Sequence, residues 1–313
     1  HRGPDEDGVF LDRFCGLAHV RLSILDLAGG SQPMTRQLGN HRVTIAYNGE
    51  IYNMPTLRRE LSREGIEFQT SSDTEVILQS YLLWGIDFVK RLNGIFAFAL
   101  WDEYLQKLLL FRDALGVKPL FYTFLDRTLI FSSEIKGILT YPDFRPVIDR
   151  DGLCEILGLG PAKTYGKGVL KGIDELLPGH YLEFDGSSIH TFPFWTLESH
   201  PHEESWEETV DHTRFLITDA VRMQMLSDVP VCTFLSGGID SSLVTSICSR
   251  KLNEQGKRLD TYSFDFKDND IHFQANAFQP SQDRPWVDKM IAYARTNHIY
   301  LECTNSLLYQ YLF

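Results

Sequence analysis

The chain has 313 residues, room for about two domains, and its hydrophobic content of 43% with 12% aromatic residues is ample for packed cores. Acidic residues outnumber basic ones by 42 to 30, a formal charge of −12, which excludes the basic surface that nonspecific nucleic-acid binding needs. Neither a signal peptide nor a membrane-length apolar run is expected. The five cysteines (Cys15, Cys154, Cys232, Cys248, Cys303) are odd in number without CxxC spacing and read as reduced core thiols of a cytoplasmic protein.

In chain order, residues 9–14 and 16–25 alternate like strands, Ala28-Gly29-Gly30 marks a turn, and residues 41–47 alternate again. Asn48-Gly49 is a turn signal and by itself predicts a tight hairpin, which leaves Glu50 and the flanking Tyr47 and Tyr52 without a role. Pro55 opens a short helix with Leu57 and Leu61 on one face and Gly65 at its end. Ser72-Asp73-Thr74-Glu75 has capping-box spacing, ahead of a run to Trp84 that is apolar on most sides, so a buried helix is expected. Asp73 there is explained equally well by helix capping. Strands resume at 94–101, 107–111, 120–125 and 128–132. Buried helices among many short strands predict stacked sheets between helix layers, an α+β arrangement.

Residues 140–200 are rich in proline and glycine, with a short helix predicted at 151–157 and a turn and strand at 177–186. His200 and His202 sit in a polar connection and read as solvated rather than metal-binding. A helix is predicted over 206–226 with Val210, Ile217, Val221 and Met225 on one stripe. A β-branched strand, 229–235, then leads into Ser236-Gly237-Gly238-Ile239-Asp240-Ser241-Ser242. The helix that follows has Leu243, Ile247 and Cys248 on one face and Gly256 as its stop. A strand at 260–266, a helix at 284–293 and a strand at 298–302 complete an α/β pattern, a doubly wound parallel sheet with ligands at its strand ends.

The serine- and glycine-rich turn thus joins a strand's end to a helix's start. Its glycines let the backbone approach a ligand, the helix offers unpaired N–H groups, and Ser236, Ser241 and Ser242 add hydroxyls, so an anion with several oxygens suits it. No lysine follows, which excludes a Walker A loop. The plain alternative is a strand–helix turn capped by Asp240 or Ser241.

This octapeptide, residues 235–242, resembles the pyrophosphate-binding loop of the ATP pyrophosphatase superfamily, which cleaves ATP between its α- and β-phosphates. Earlier in the chain, HRGPD at 1–5, RLSILD at 21–26, YNGEIYN at 47–53, SDTEVIL at 72–78, LNGIFAFALWD at 92–102, RDALGVKPLFY at 112–122 and FSSEIKGIL at 131–139 are similar to the class II glutamine amidotransferase domain of asparagine synthetases. The motifs keep family order over nearly the whole first domain. The resemblance implies an N-terminal-nucleophile αββα sandwich over 1–197, followed by an ATP pyrophosphatase-type domain over 205–313.

What it further implies is specific. Arg21 grips the glutamine α-carboxylate, although strand alternation alone would leave it facing solvent, and Leu22, Ser23, Ile24 and Leu25 line the pocket with it. Asp73 takes the α-ammonium, with Glu50 beside it. Asn48 through its side-chain amide and Gly49 through its N–H form the oxyanion hole, one turn aiming both donors at one point. Backbone groups near Phe234, Leu235 and Phe266 hold adenine, residues 236–242 the phosphates, and Asp240 helps to place Mg²⁺. The family's nucleophile is an N-terminal cysteine lying some way before HRGPD, and Cys15, expected inside a strand, cannot replace it. The sequence is therefore expected to be an excerpt carrying the pocket without the nucleophile. The implied reaction converts aspartate, ATP and glutamine-derived ammonia into asparagine, AMP and pyrophosphate through β-aspartyl-AMP, with no nucleic-acid or membrane partner and a homodimer left open. Two alternatives stand beside it: a related amidotransferase acting on a cell-wall, capsule or peptide carboxylate, and a nucleotide- or glutamine-binding protein without turnover.

Overall fold

The computed structural model describes residues 3–160, 162–277 and 280–312, so His1 and Arg2 of the HRGPD motif lie outside the described residues, as does Phe313. The chain divides into two compact units, His1–His200 and Pro201–Phe313.

The first unit opens with an antiparallel ribbon of β1 (Glu6–Leu11) and β2 (Gly16–Arg21). Then follow β3 (Met34–Leu38), β4 (His41–Ile51), α1 (Met54–Arg63), α2 (Asp73–Trp84), β5 (Gly94–Asp102), β6 (Lys107–Arg112), β7 (Phe121–Leu125), β8 (Thr128–Ser132), α3 (Ile135–Leu139), α4 (Arg150–Cys154), β9 (Asp174–Glu175), β10 (His180–Phe184) and β11 (Ile189–Pro193). A six-stranded antiparallel sheet runs β11-β10-β6-β5-β4-β3, and a three-stranded one runs β8-β7-β9. β5 is apolar along nearly its whole length because both its faces are covered, and side-chain alternation sorts its residues by size. Phe96, Phe98 and Leu100 point one way, where Phe98 stacks on Phe111 with centroids 4.6 Å apart and Phe88 meets Phe111 edge-on and Phe98 at a tilt. Ala97, Ala99 and Trp101 point the other way and meet Leu17, Leu120, Leu129 and Leu176 from the ribbon and the second sheet. Outside that second sheet, Ile138 and Phe144 pack on Phe121 and Ile173. The layers are helix, sheet, sheet, helix, with the second sheet split between the ribbon and the β7 group.

Three local expectations need correction. β2 stops at Arg21, so Leu22, Ser23, Ile24 and Leu25 lie beyond the strand, not in it. β4 runs straight through Asn48-Gly49, which pair with Ala97 and Phe96 of β5, so the Asn-Gly hairpin does not form. Pairing across nine positions of a central strand outweighs a dipeptide's turn preference. Glycine is needed for a different reason: a Cβ at Gly49 would collide with the Ile95 carbonyl oxygen and come within 2.7 Å of Phe96 Cα. Third, the capping box of α2 is only half made. The Ser72 hydroxyl accepts from Thr74 N at 3.2 Å, but Glu75 does not reach back. Its fully buried carboxylate instead accepts from Arg36 Nε at 2.7 Å and from the N–H groups of Gln69 and Thr70. A charge-assisted bond to a guanidinium is worth more than one neutral cap.

The second unit holds α5 (Trp206–Met223), β12 (Cys232–Phe234), α6 (Ile239–Glu254), β13 (Asp260–Phe266), α7 (Asn269–His272), α8 (Arg284–Ala294), β14 (Asn297–Cys303) and α9 (Asn305–Leu312). A complete capping box, Ser205 with Glu208, starts α5, yet no residue of α5 is buried and Ile217 of its expected stripe is exposed. The strands lie parallel in the order β12-β13-β14. In that register Thr233, Thr261 and His298 share a face with Ser263 and Tyr300. Thr233 bonds to Thr245 of α6 and Tyr300 to Asp288 of α8, so both helices cover this one face. The doubly wound expectation is therefore met by a single winding among the described residues. The face of α6 that is buried is Thr245, Cys248 and Ser249, with Leu243 exposed, because the sheet beneath it is lined with hydroxyls. Phe234, Phe264, Phe266, Ile299 and Leu301 alternate onto the opposite face and are exposed.

The cysteines also depart from expectation: all five are free, but Cys154 and Cys232 are exposed and only Cys248 is buried. No described helix is long and apolar enough to cross a membrane.

Candidate functional site

In the first unit the segment between β2 and β3 is the organising element. Arg21 closes β2 with 6% of its surface exposed, not facing solvent as the alternation predicted. Its Nη2 donates to the carbonyls of Leu25 and Asp26 at 3.0 and 2.7 Å, and its Nη1 pairs with Glu6 at 3.1 Å. The guanidinium thus shapes the turn that follows it. Gln32 ties the far end of the segment: its side chain accepts from Tyr47 N at 2.7 Å and donates to Thr74 Oγ1 at 3.3 Å.

Asp73, the first residue of α2, is buried at 5% exposure. Its Oδ2 accepts from the Tyr47 hydroxyl at 2.8 Å and from Ile51 N at 3.1 Å. Burial raises its pKa, against the lowering pull of those hydrogen bonds. Glu50, half-buried on β4, is raised by burial and by the nearby Asp73, while Lys118 pulls it down. β4 therefore brings Asn48, Gly49 and Glu50 beside the N-terminus of α2, two carboxyls share one neighbourhood, and both hold their protons more firmly than usual. Two residues the sequence reading missed support this strip. Tyr47 anchors Asp73, and His19 of β2 donates from Nε2 to the Tyr47 carbonyl at 2.9 Å, its other ring nitrogen buried without a partner. The sequence leaves Tyr47 without a role, and apolar Ala18 and Val20 conceal His19. Cys15 lies in the turn between β1 and β2 rather than inside a strand, and burial pushes its thiol up to about 12, the reverse of an activated nucleophile.

In the second unit Leu235 is buried and donates to the Tyr262 carbonyl at 2.8 Å, extending the parallel ladder to the brink of the turn. The turn then braces itself through hydroxyls. Ser241 Oγ accepts from Ser236 N, pairs with Ser236 Oγ at 3.0 Å and donates to the Gly238 carbonyl. The N-cap of α6 is Gly238, with no side chain capping it, so neither Asp240 nor Ser241 is the cap. The first N–H groups of α6 are left for a ligand. Phe234 and Phe266 are the last residues of neighbouring parallel strands, Phe266 four residues beyond the Tyr262 that pairs with Phe234, and Ser242 lies in the first turn of α6. Asp240 projects from that turn as an exposed lone carboxylate. No group of three or more His, Cys, Asp or Glu side chains that could hold a metal occurs among the described residues. A lone carboxylate suits Mg²⁺, which takes its other ligands from phosphates and water.

The glutamine amidotransferase domain family matches residues 1–195. The chain belongs to this family. Beyond the amidotransferase domain, residues 212–313 match the asparagine synthase family. Similar relatives include glutamine-hydrolysing asparagine synthetase 3 of Bacillus subtilis, 48% identical over 95% of this chain and 49% of the relative. A protein named as a putative glutamine-hydrolysing asparagine synthetase 2 in Methanocaldococcus jannaschii is 34% identical over 95% of this chain and 59% of its own length. Amidase chyE of Penicillium rubens is 37% identical over 83% of this chain and 38% of its own length. The chain spans about half the length of the curated relatives it matches.

Proposed function

We propose that the amidotransferase unit binds glutamine and releases its amide nitrogen as ammonia, and that the second unit binds Mg·ATP and adenylates the side-chain carboxylate of aspartate. Ammonia then displaces AMP to give asparagine. The observation that carries this reading is the segment between β2 and β3, which joins a buried guanidinium at Arg21 to the N-terminus of α2, where Asp73 and Glu50 lie. Together they offer a cation and two carboxyls, the complement of an α-amino acid head group.

In this reading Arg21 holds the α-carboxylate, the backbone from Leu22 to Leu25 lines the pocket, and Asp73 with Glu50 receives the α-ammonium. Asn48 Nδ2 and the Gly49 N–H donate to the oxyanion that forms when the amide carbonyl is attacked. The unit is then of the N-terminal-nucleophile αββα type and the second of the ATP pyrophosphatase type, with domain extents of 1–197 and 205–313. Backbone groups at Phe234, Leu235 and Phe266 hold adenine, and Ser236, Gly237, Gly238, Ser241 and Ser242 receive the phosphates. Asp240 would hold the Mg²⁺, which when bound neutralises charge on the departing pyrophosphate. A cytoplasmic location and a homodimer belong to the same expectation. A second reading keeps the same two sites and sends the ammonia to a cell-wall, capsule or peptide carboxylate in place of aspartate's.

The test is calorimetric binding of L-glutamine to the chain and to Arg21→Lys. Lysine keeps the charge but not the planar fork, so affinity should fall by about 1.5–3 kcal/mol, roughly 10- to 150-fold. The thermal melt of the first unit, followed by near-UV circular dichroism, serves as the folding control. Unchanged glutamine affinity in the lysine variant would remove the carboxylate from Arg21.

The raised carboxyls add a pH dependence. A ligand ammonium favours the ionised form of Glu50 and Asp73, whose pKa values stand above 4.5 and 3.8 in the free unit. Glutamine should therefore bind more tightly as pH rises through the range just above those ordinary values and level off once both carboxyls are ionised, with protons released on binding within that range. Calorimetry in two buffers of different ionisation enthalpy measures the release, and a flat affinity with no proton release counts against these carboxyls.

A further inference from the structure

Asp26 closes the RLSILD stretch and has no part in the roles above, yet it is the hub of the segment. Its backbone is left-handed, at φ 49°. Its carbonyl accepts from Arg21 Nη2 at 2.7 Å and from Gly30 N at 3.0 Å. Its Oδ1 accepts from Gly29 N at 2.8 Å, and its Oδ2 from Ser71 N at 2.7 Å, across 45 residues of sequence. Ser71 directly precedes Ser72, the N-cap of α2, and Asp73 follows. A side chain at either glycine of the turn would displace these contacts. A Cβ at Gly30 would collide with Arg21 Nη2, and one at Gly29 would lie 2.6 Å from Asp26 Oδ2.

We propose that Asp26 is a positioning residue for glutamine recognition: it sets the separation between the Arg21 guanidinium and the Asp73 carboxylate. The proposal rests on the assignment of those two residues to the glutamine head group. The carboxylate and ammonium of an α-amino acid are held at a fixed separation by one carbon. Two protein groups can engage both only if their own spacing is fixed as well. Nothing local fixes it, because Arg21 ends a strand and Asp73 begins a helix far along the chain. Asp26 is a short strut between the two, its carbonyl on the cation and its carboxylate on the residue next to the helix cap. Gln32 supplies a second, neutral tie to Thr74 at 3.3 Å. The Asp26 tie is the shorter and carries a charge, which suits an ionised acceptor on a backbone N–H.

The readout is discrimination between L-glutamine and glutaramate, which has the same carboxylate and amide but no α-ammonium. The wild-type chain should prefer L-glutamine, since only that ligand reaches Asp73. Asp26→Asn keeps the volume but loses the charge and one acceptor. It should lose roughly tenfold or more in L-glutamine affinity while glutaramate, which needs Arg21 alone, changes much less. The preference should collapse. Asp26→Ser can still cap the local turn and cannot reach Ser71, so it should show the same collapse with the turn intact. Thermal melting and Mg·ATP binding report folding for each variant. Equal losses for both ligands, or a wild-type preference in both variants, overturns the strut. A wild-type chain with no preference for L-glutamine over glutaramate, or an Arg21→Lys variant that binds like wild type, overturns the head-group assignment itself.

Discussion

Arg112→Ala is expected to destabilise the amidotransferase unit by about 3–5 kcal/mol, the cost of leaving a buried charge without its partner. Arg112 is 5% exposed, and its guanidinium donates to the carbonyls of Lys118, Leu176 and Gly116 at 2.9, 2.6 and 2.9 Å. It also pairs with Glu175 at 3.1 Å, a residue 4% exposed whose other oxygen meets Lys163 at 2.7 Å. Alanine removes all of this, orphaning three carbonyls and half of a buried carboxylate. For a unit of about 200 residues, each kcal/mol shifts the midpoint by roughly 2–4 °C, so a fall of roughly 6–20 °C is expected in near-UV circular dichroism. Glu175→Gln should be milder, because the amide oxygen still accepts from the guanidinium. A fall of under about 3 °C for Arg112→Ala would mean that the loop relaxes and rehydrates the pair. Neighbouring Asp113 acts similarly, accepting from the N–H groups of Phe96, Leu115, Val117 and Lys118. The charged opening of RDALGVKPLFY thus builds the loop that presents Lys118 towards Glu50.

That motif shows where sequence reading reaches and where it stops. By sequence Arg112 and Asp113 have no role beyond their place in the motif, and burial and hydrogen bonds reveal them as scaffolding. Elements with long apolar patterns were legible: α2 is buried from Asp73 to Leu82, and β5, β8, β13 and β14 fall within a residue or two of their expected ends. Residues whose fate depends on partners distant in sequence were not. Arg21 follows an alternating pattern that predicts exposure, but Glu6 and the carbonyls of Leu25 and Asp26 fold over its fork. Asn48-Gly49 carries a turn preference that β5 overrides by pairing. Glu75 has capping-box spacing that Arg36, 39 residues away, defeats. In the second unit Leu243, Ile247 and Cys248 share one face of α6, but only Cys248 of the three is buried, beside Thr245 and Ser249, because the sheet face beneath the helix is lined with hydroxyls. Local propensity is short-range information, and each miss is a long-range contact that outweighs it.

The two glycines of the phosphate turn should separate folding from binding. Gly237 has φ 76°, where an L side chain costs about 1–2 kcal/mol. A Cβ there would lie 2.8 Å from Trp286 Cβ and 3.0 Å from the Asp283 carbonyl, at the start of α8, so overpacking adds roughly 1–3 kcal/mol. Gly237→Ala should therefore weaken the second unit by roughly 2–5 kcal/mol and lower its melting temperature with or without nucleotide. Gly238 sits at φ −72°, and a Cβ there meets only Ser236 Oγ, at 3.4 Å. Gly238→Ala should cost under about 1 kcal/mol as an N-cap change. Its methyl group nevertheless enters the open space before the first N–H groups of α6, where phosphate oxygens must come close. Mg·ATP affinity should fall by roughly tenfold or more while melting stays near wild type, because a bulky group holds the phosphates off those donors. Asp240→Ala should melt like wild type and lose the Mg²⁺-dependent part of the affinity alone. Equilibrium dialysis with labelled ATP, with and without Mg²⁺, measures both effects beside a thermal melt. If Gly238→Ala binds Mg·ATP as tightly as the wild type, the turn is a plain strand–helix junction and the nucleotide belongs elsewhere. If Gly237→Ala melts unchanged, the contact with α8 is loose and the left-handed turn carries no strain.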